Sequence, residues 1–403
     1  MKRHFESYCR RCLLLVVFAA TIAISTSVRA DDWHFVRRDT AGSGVAEGPI
    51  SKKLDVLWTY QAGGDAGFEA TAIVDNDIIY IGDNYGTFHS VLLDDGRGIW
   101  KQQFPDTAFL AGAAWDEGTL YVGDANGMVS ALSIEDGHEI WHTEIEGEVY
   151  AGPTTRGDDV LVTCEAGSLT CFHKATGEKR WDFKIEAPLR CTPTIAAGQI
   201  LLAGCDSQLH LIDAATGKET NKIAIDAPTG ATAAFHMDRV YFGTEGGSFY
   251  AIELPPGGAA PKVLWTVRDP ERGQPIRSAA AVTDKLVVYG AQGKAIYARN
   301  PATGDVEWKV PTRSRVDSSP VIAGNQVVVA TERGVLYVLD AATGAINWQF
   351  DAGGSFTASP VVVEGKIIIG NGDGTLYCFG PAKQKEELAT EGTEVTEKDK
   401  SDN

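Results

Sequence analysis

Helical hydrophobic periodicity and a surplus of basic charge are missing from this chain of 403 residues, and beyond residue 30 so is any paired-cysteine motif; each absence removes a class of function. Asp and Glu total 54 against 36 Lys and Arg, a formal net charge of −18. A surface of that sign repels phosphate backbones and anionic lipid, so neither nucleic acid nor a membrane surface is expected as partner. Of seven cysteines, five lie beyond residue 30 (Cys164, Cys171, Cys191, Cys205 and Cys378) without a C-x-x-C or neighbouring His pair, so no metal is expected on them. Cys191 and Cys205 flank a short hairpin and are the best candidates for a disulfide; otherwise all five read as small core hydrophobes. His34, His89, His138, His142, His173, His210 and His236 show no repeating metal spacing, and no nucleophile-elbow motif is present.

Long apolar runs are also scarce. Leu13 to Ile24 has 12 residues, short of the roughly 20 that span a bilayer as a helix. Lys2, Arg3, Arg10 and Arg11 precede it and Val28-Arg29-Ala30 follows it, the order of a cleaved export signal. Residues 1–30 are therefore expected to be removed near Ala30, leaving a periplasmic or secreted, monomeric protein with no membrane insertion. Cleavage takes away five basic residues and one acidic, moving the net charge from −18 to −22. Cys9 and Cys12 precede the apolar run, so neither is placed to carry the lipid that follows such a run in lipoproteins.

What the chain has in abundance is one recurring phrase. "LDAATGAINW" from Leu339, "LIDAATGKETN" from Leu211, "ARNPATGDVEW" from Ala298 and "CFHKATGEKRW" from Cys171 are near copies, with "SIEDGHEIW" and "LLDDGRGIW" looser ones. The closing Trp, or its stand-in Asn221, falls at 58, 100, 141, 181, 221, 265, 308 and 348, at intervals of 40 to 44. A period near 40 with several strands per unit signals propeller blades.

Inside a unit the hydrophobic period is two. "FTASPVVVEGKIIIGNGDGTLYCF", residues 356–379, gives three strands separated by tight turns, and the D-x-x-T-G turn leads into a fourth that carries the Trp. The innermost strands read A-T-A, A-G-A, A-G-P, C-T-P, S-S-P and A-S-P from Ala70, Ala111, Ala151, Cys191, Ser318 and Ala358, small enough to crowd round an axis. The last unit lacks its Trp strand, while Leu54 to Gln61 is a Trp strand with no blade before it. The two are expected to complete one another, giving an all-β, eight-bladed propeller of four-stranded antiparallel blades over residues 54–380. Residues 31–53 form a Gly-rich lead-in, and residues 381–403 a charged tail expected to be disordered.

The repeat A-x-D-x-x-T-G-x-x-x-W resembles the tryptophan-docking repeat of quinoprotein alcohol dehydrogenases and their non-enzymatic relatives. In size and blade count the chain is similar to the propeller subunit family of the outer-membrane β-barrel assembly machinery, over about residues 54–380. The lead-in, through Trp33, Arg37, Gly42 and Gly44, resembles the opening of many exported bacterial PQQ-like repeat proteins. The assembly-machinery resemblance implies a scaffold that binds a protein or peptide partner in the cell envelope. It also implies that basic and acidic residues near the loops leading into the inner strands do the binding, a placement matched by Arg277 and Asp317. That family is lipid-tethered and carries a flanking leucine-rich loop, neither of which is evident in this sequence.

Aligning the units on their small hub residues puts Glu69, Leu110, Tyr150, Arg190, Gly230, Arg277, Asp317 and Thr357 at one position, the channel mouth. Variation at one register among regular neighbours suits a ligand surface, so Glu69, Tyr150, Arg190, Arg277 and Asp317 are the candidate partner-binding residues. Arg277 and Asp317, on adjacent blades, are also candidates for a mutual ion pair. A second ring, Asp83, Asp124, Glu165, Asp206, Glu245, Glu332 and Asp373 in the hairpins, reads as turn chemistry. The enzymatic alternative is a dehydrogenase using pyrroloquinoline quinone with calcium. Glu69 and Asp317 are the only carboxylates at the mouth register, which has no Asn, and the chain has no adjacent Cys pair and no C-x-x-C-H, so no catalytic residue and no cofactor are expected.

Overall fold

A computed structural model describes residues 32–268 and 273–382; the export signal and charged tail expected from sequence lie outside the described residues. Eight four-stranded antiparallel arrays make the eight blades, the seventh gaining a fifth, parallel strand where Val45–Ala46 of the lead-in pairs with Val321–Ala323. Blade 1 is Ile73–Asp75, Ile78–Gly82, Thr87–Leu92 and Gly98–Gln103. Blades 2 to 7 span residues 114–144, 154–184, 194–224, 234–268, 281–311 and 321–351. Blade 8 takes three strands from residues 361–381 and its fourth from Leu54–Gln61, which pairs antiparallel with Thr375–Pro381, Thr59 opposite Tyr377. The expected closure is therefore present. Among the described residues no helix is long and apolar enough to cross a membrane.

Burial follows position in the blade. Second and third strands are covered on both faces by neighbouring blades and read as apolar runs, such as Lys366–Gly370 (KIIIG), with four of five residues buried. Outermost strands, such as Glu139–Glu144, alternate exposed and half-buried residues because only one face packs. Each pairing of third and fourth strands carries a bulge just before the Trp, as between Glu139 and Trp141. The extra residue twists the strand and re-aims the indole at the next blade.

There six of the seven repeat indoles meet the glycine of the neighbour's turn, while Trp348 donates to Leu54 O at 3.1 Å. Trp58, Trp100, Trp141, Trp181, Trp265 and Trp308 lie against Gly96, Gly137, Gly177, Gly217, Gly304 and Gly344 so closely that a Cβ would stand 2.4–2.8 Å from ring carbons. The same glycines have φ between +69° and +77°, so Gly is required twice over. Trp58, Trp100, Trp141, Trp265 and Trp308 also donate Nε1–H to a carbonyl of the next blade at 2.8–3.1 Å. The phrase is thus one joint written in two adjacent blades. Asn221 replaces Trp where the next blade carries Leu254-Pro255-Pro256 instead of the Thr-Gly turn, so lock and key are missing together.

The lead-in crosses the hub. Its backbone bonds the second residue of the inner strands of blades 1, 2, 4, 5, 6 and 7: Trp33 with Val74, His34 with Trp115, Thr40 with Ile195, Ala41 with Phe235, Ser43 with Val282 and Gly44 with Ile322. Val36 fills the space left by Gly112 and Gly152, whose Cβ atoms would stand 3.0 and 2.3 Å from its methyl. Arg37, 2% exposed, donates through Nη2 to Ala280 O (3.0 Å) and Pro320 O (2.7 Å). Its Nε and Nη1 have no hydrogen-bond partner, and burial, against the pull of Asp39, lowers its pKa to about 10. The Trp33, Arg37, Gly42 and Gly44 pattern is therefore a hub-plugging device, with Gly42 and Gly44 at φ +69° and +64°.

Candidate functional site

The register residues open the inner strands on the side of the hub away from the lead-in. Two backbone bonds recur around the ring and fix them. In blade 3 the hairpin residue Glu165 donates its N–H to Glu148 O, two residues before Tyr150; the next loop's Leu189 donates to Cys164 O. Equivalent bonds hold Arg277, where Gln292 N–H reaches Pro275 O and Ile276 N–H reaches Thr244 O. Each register residue consequently lies between the hairpin of its own blade and that of the preceding blade.

That placement joins the two rings that sequence alone kept separate. Arg190 makes a bidentate pair with Glu165 of blade 3, its Nη2 3.0 Å from Oε2. Arg277 pairs with Glu245 of blade 5 at 2.8 and 3.2 Å. Arg315, two residues before Asp317, pairs with Glu332 at 2.8 and 2.5 Å. In all three the carboxylate raises the arginine pKa further, so the guanidinium stays charged. The hairpin acids accordingly divide. Asp83 and Asp124 accept backbone N–H bonds from within their own turns, as expected of turn chemistry, whereas Glu165, Glu245 and Glu332 are ion-pair partners.

The direct Arg277–Asp317 ion pair expected from sequence does not form. Arg277 is taken by Glu245, and both oxygens of Asp317 accept from Gln292 Nε2 at 3.1 and 3.2 Å. Burial raises the Asp317 pKa, opposed by that amide and by the charges of Arg277 and Arg315. Glu69 accepts from Asn84 Nδ2 at 3.1 Å. Tyr150 is 41% exposed and donates its hydroxyl to Glu148, which raises the phenol pKa. Gly230 makes room for a neighbour, since a Cβ there would stand 3.0 Å from Arg190 Cβ. Arg315, Gln292 and Asn84 were missed from sequence because they lie two residues off the register or in a hairpin. The one available signal was an acid in an equivalent hairpin facing a basic loop.

Quinone chemistry would need carboxylate and amide oxygens converging on a cation beside the cofactor. At the mouth Glu69 and Asp317 belong to blades 1 and 7 and are each held by a separate amide, so this donor set does not fit. The histidines have carboxylate, Tyr60 or backbone partners; among the described residues none hydrogen-bonds a Ser or Cys in a nucleophile arrangement. The five described cysteines are free thiols, Cys191 among them fully buried with its pKa raised to about 12 by burial, so the candidate Cys191–Cys205 disulfide is not formed.

The family model of the outer membrane protein assembly factor BamB matches residues 91–259 and 258–398. Among solved structures, BamB from Moraxella catarrhalis superimposes with TM-score 0.69 at 17% identity, covering 82% of this chain and 98% of that one. The quinohemoprotein alcohol dehydrogenase from Comamonas testosteroni gives 0.73 at 16%, covering 89% and 82%. The computationally designed Ika8 protein gives 0.71 at 16%, covering 81% and 99%. Identities this low establish shared fold alone. No curated protein sequence matches the chain.

Proposed function

Because the chain belongs to the family of the outer membrane protein assembly factor BamB, we propose that it is an exported, non-catalytic scaffold binding a protein or peptide partner in the cell envelope, in the service of outer-membrane protein assembly. The observation that carries this reading is the channel mouth. Exposed Arg190, Arg277 and Arg315 hold three Arg–Glu pairs on the same face of the ring as Tyr150, on loops clamped by a recurring backbone lattice. Exposed pairs of this kind contribute only about 0–1 kcal/mol to folding, so their concentration at one face serves recognition better than stability. Arg and Tyr are also the side chains that most often dominate binding energy. The rigid ring presents them without a large ordering cost on association.

The test is capture from envelope extract. Arg277→Ala combined with Asp317→Asn should leave folding intact and weaken capture of the native partner tenfold or more, about 1.4 kcal/mol. Lys218→Ala with Glu178→Ala, both exposed on rim turns, serves as control. Glu219 is unsuitable there because it holds the buried His210 at 2.6 Å. Loss of capture in the rim control but not in the mouth variant would move the binding surface elsewhere. In parallel, protein reconstituted with pyrroloquinoline quinone and calcium should take up no stoichiometric cofactor and oxidise no alcohol; a saturable, Glu69-dependent activity would establish the dehydrogenase reading instead.

A further inference from the structure

On the far side of the hub from the mouth, the lead-in brings three metal-ligating side chains together. Trp33 bonds Val74 in both directions, N to O, at 2.8 and 2.9 Å, and its ring is fully buried. In an extended segment residues i and i+2 share a side. Asp32 and His34 therefore flank Trp33 on one side and meet Asp75, the residue after Val74. His34 Nε2 lies 2.9 Å from Asp75 Oδ1 and 3.7 Å from Asp32 Oδ2, and one donor atom from each residue falls within 4.8 Å of the others. The two carboxylates are 5% and 3% exposed and the imidazole 13%.

The surroundings hold this arrangement in place. The Trp115 ring stacks on His34 with centroids 4.1 Å apart and planes 30° from parallel, while Trp115 N–H bonds His34 O at 2.9 Å. Asn76 donates its backbone N–H to Asp32 Oδ1 (3.2 Å) and its Nδ2 to Asp75 Oδ2 (2.9 Å), and the second oxygen of each carboxylate is the one nearest the imidazole Nε2. Such outer partners orient ligands in metal sites. A tetrahedral ion with bonds of about 2.1 Å sets its ligand atoms about 3.4 Å apart. The observed spacings bracket that value.

We propose that Asp32, His34 and Asp75 form a site for a divalent transition ion of the zinc class, with solvent completing the coordination, which clasps the lead-in to blade 1. One imidazole with two carboxylates suits zinc, cobalt or manganese; calcium takes six to eight oxygens, and the absence of thiolate disfavours soft ions. The proposal is independent of the scaffold reading, since the two sites lie at opposite ends of the hub.

Chelator-stripped protein should bind one Zn²⁺ per chain in calorimetry, melt higher with Zn²⁺, and return to its starting melting temperature with EDTA. Co²⁺ should give the visible absorption of a nitrogen- and oxygen-ligated low-coordinate ion. His34→Ala and Asp75→Asn, each checked for native circular dichroism, should weaken binding at least tenfold and abolish the cobalt signal. Should Asp75→Asn unfold, Asp32→Asn replaces it. His236→Ala, which removes the partly exposed His236–Asp284 pair, should bind as the parent does. No saturable uptake, or equal affinity in His34→Ala, overturns the site.

Discussion

The indole of Trp308 rests on Gly344 of the next blade: a Cβ at residue 344 would stand 2.8 Å from ring atom Cδ2, while Trp308 Nε1 donates to Ala341 O at 2.8 Å. Trp308 is 6% exposed, the most buried of the repeat indoles, and Gly344 sits at φ +72°. Trp308→Ala is expected to cost about 3–5 kcal/mol. Gly344→Ala should cost about 1–2 kcal/mol from the left-handed backbone alone, and more from displacing the ring. The two changes should be strongly non-additive in denaturant melts, because each removes the same joint.

At the fourth blade the joint has neither half. A tryptophan at 221 would face the Leu254-Pro255-Pro256 connection rather than the repeat's Thr-Gly turn, beside the filled cluster of Leu254, Ile252 and Tyr250. Asn221→Trp is therefore expected to leave stability unchanged or lower, not higher. A rise of several degrees in melting temperature would show that the neighbouring blade can accept an indole without its glycine.

Closure and plugging are separable. Deleting residues 31–61 removes the strand paired with Thr375–Pro381 and should expose an open edge and cause aggregation. Deleting residues 31–47 removes the hub segment but keeps Leu54–Gln61, so it should yield a monomer with a lower melting temperature. Light scattering and thermal melts distinguish the two. A soluble monomer of unchanged melting temperature from the longer deletion would refute closure by Leu54–Gln61.

Asp317 gives the mouth a pH signature. Burial favours its neutral form in the folded protein, so its pKa lies above the unfolded value of about 3.9. Its contribution to stability is fully present below the unfolded pKa and is lost as pH rises through the folded one. Asp317→Asn should accordingly raise the melting temperature at pH 7 and leave it nearly unchanged near pH 3, where the carboxyl is largely protonated in the folded and the unfolded chain alike. Equal effects at both pH values would mean that the change acts through packing.

The eight blades, the closing strand and the plane of the mouth were readable from sequence because each depends on local chemistry repeated many times. A Thr-Gly turn, a period of two and a small residue at the hub need no knowledge of neighbours. The site was readable only as a register. Glu69, Tyr150, Arg190, Arg277 and Asp317 do share one level, but their partners do not follow from alignment. Arg277 lies nearer to the hairpin acid Glu245 than to the register acid Asp317, because the connecting loops lean back over the preceding blade.

The sequence by itself determined the repeat, and with it the fold, since every blade carries its own strands and turns. The tertiary structure decided everything that crosses between blades or across the hub. It set the Arg190–Glu165 and Arg277–Glu245 pairs, and the match of an absent Trp at 221 with an absent glycine turn in the next blade. It also laid the lead-in across the inner strands so that Asp32 and His34 meet Asp75, 41 residues beyond His34. These relationships join segments far apart in the chain whose spacing is fixed only once the ring has closed, so no window of sequence contains them.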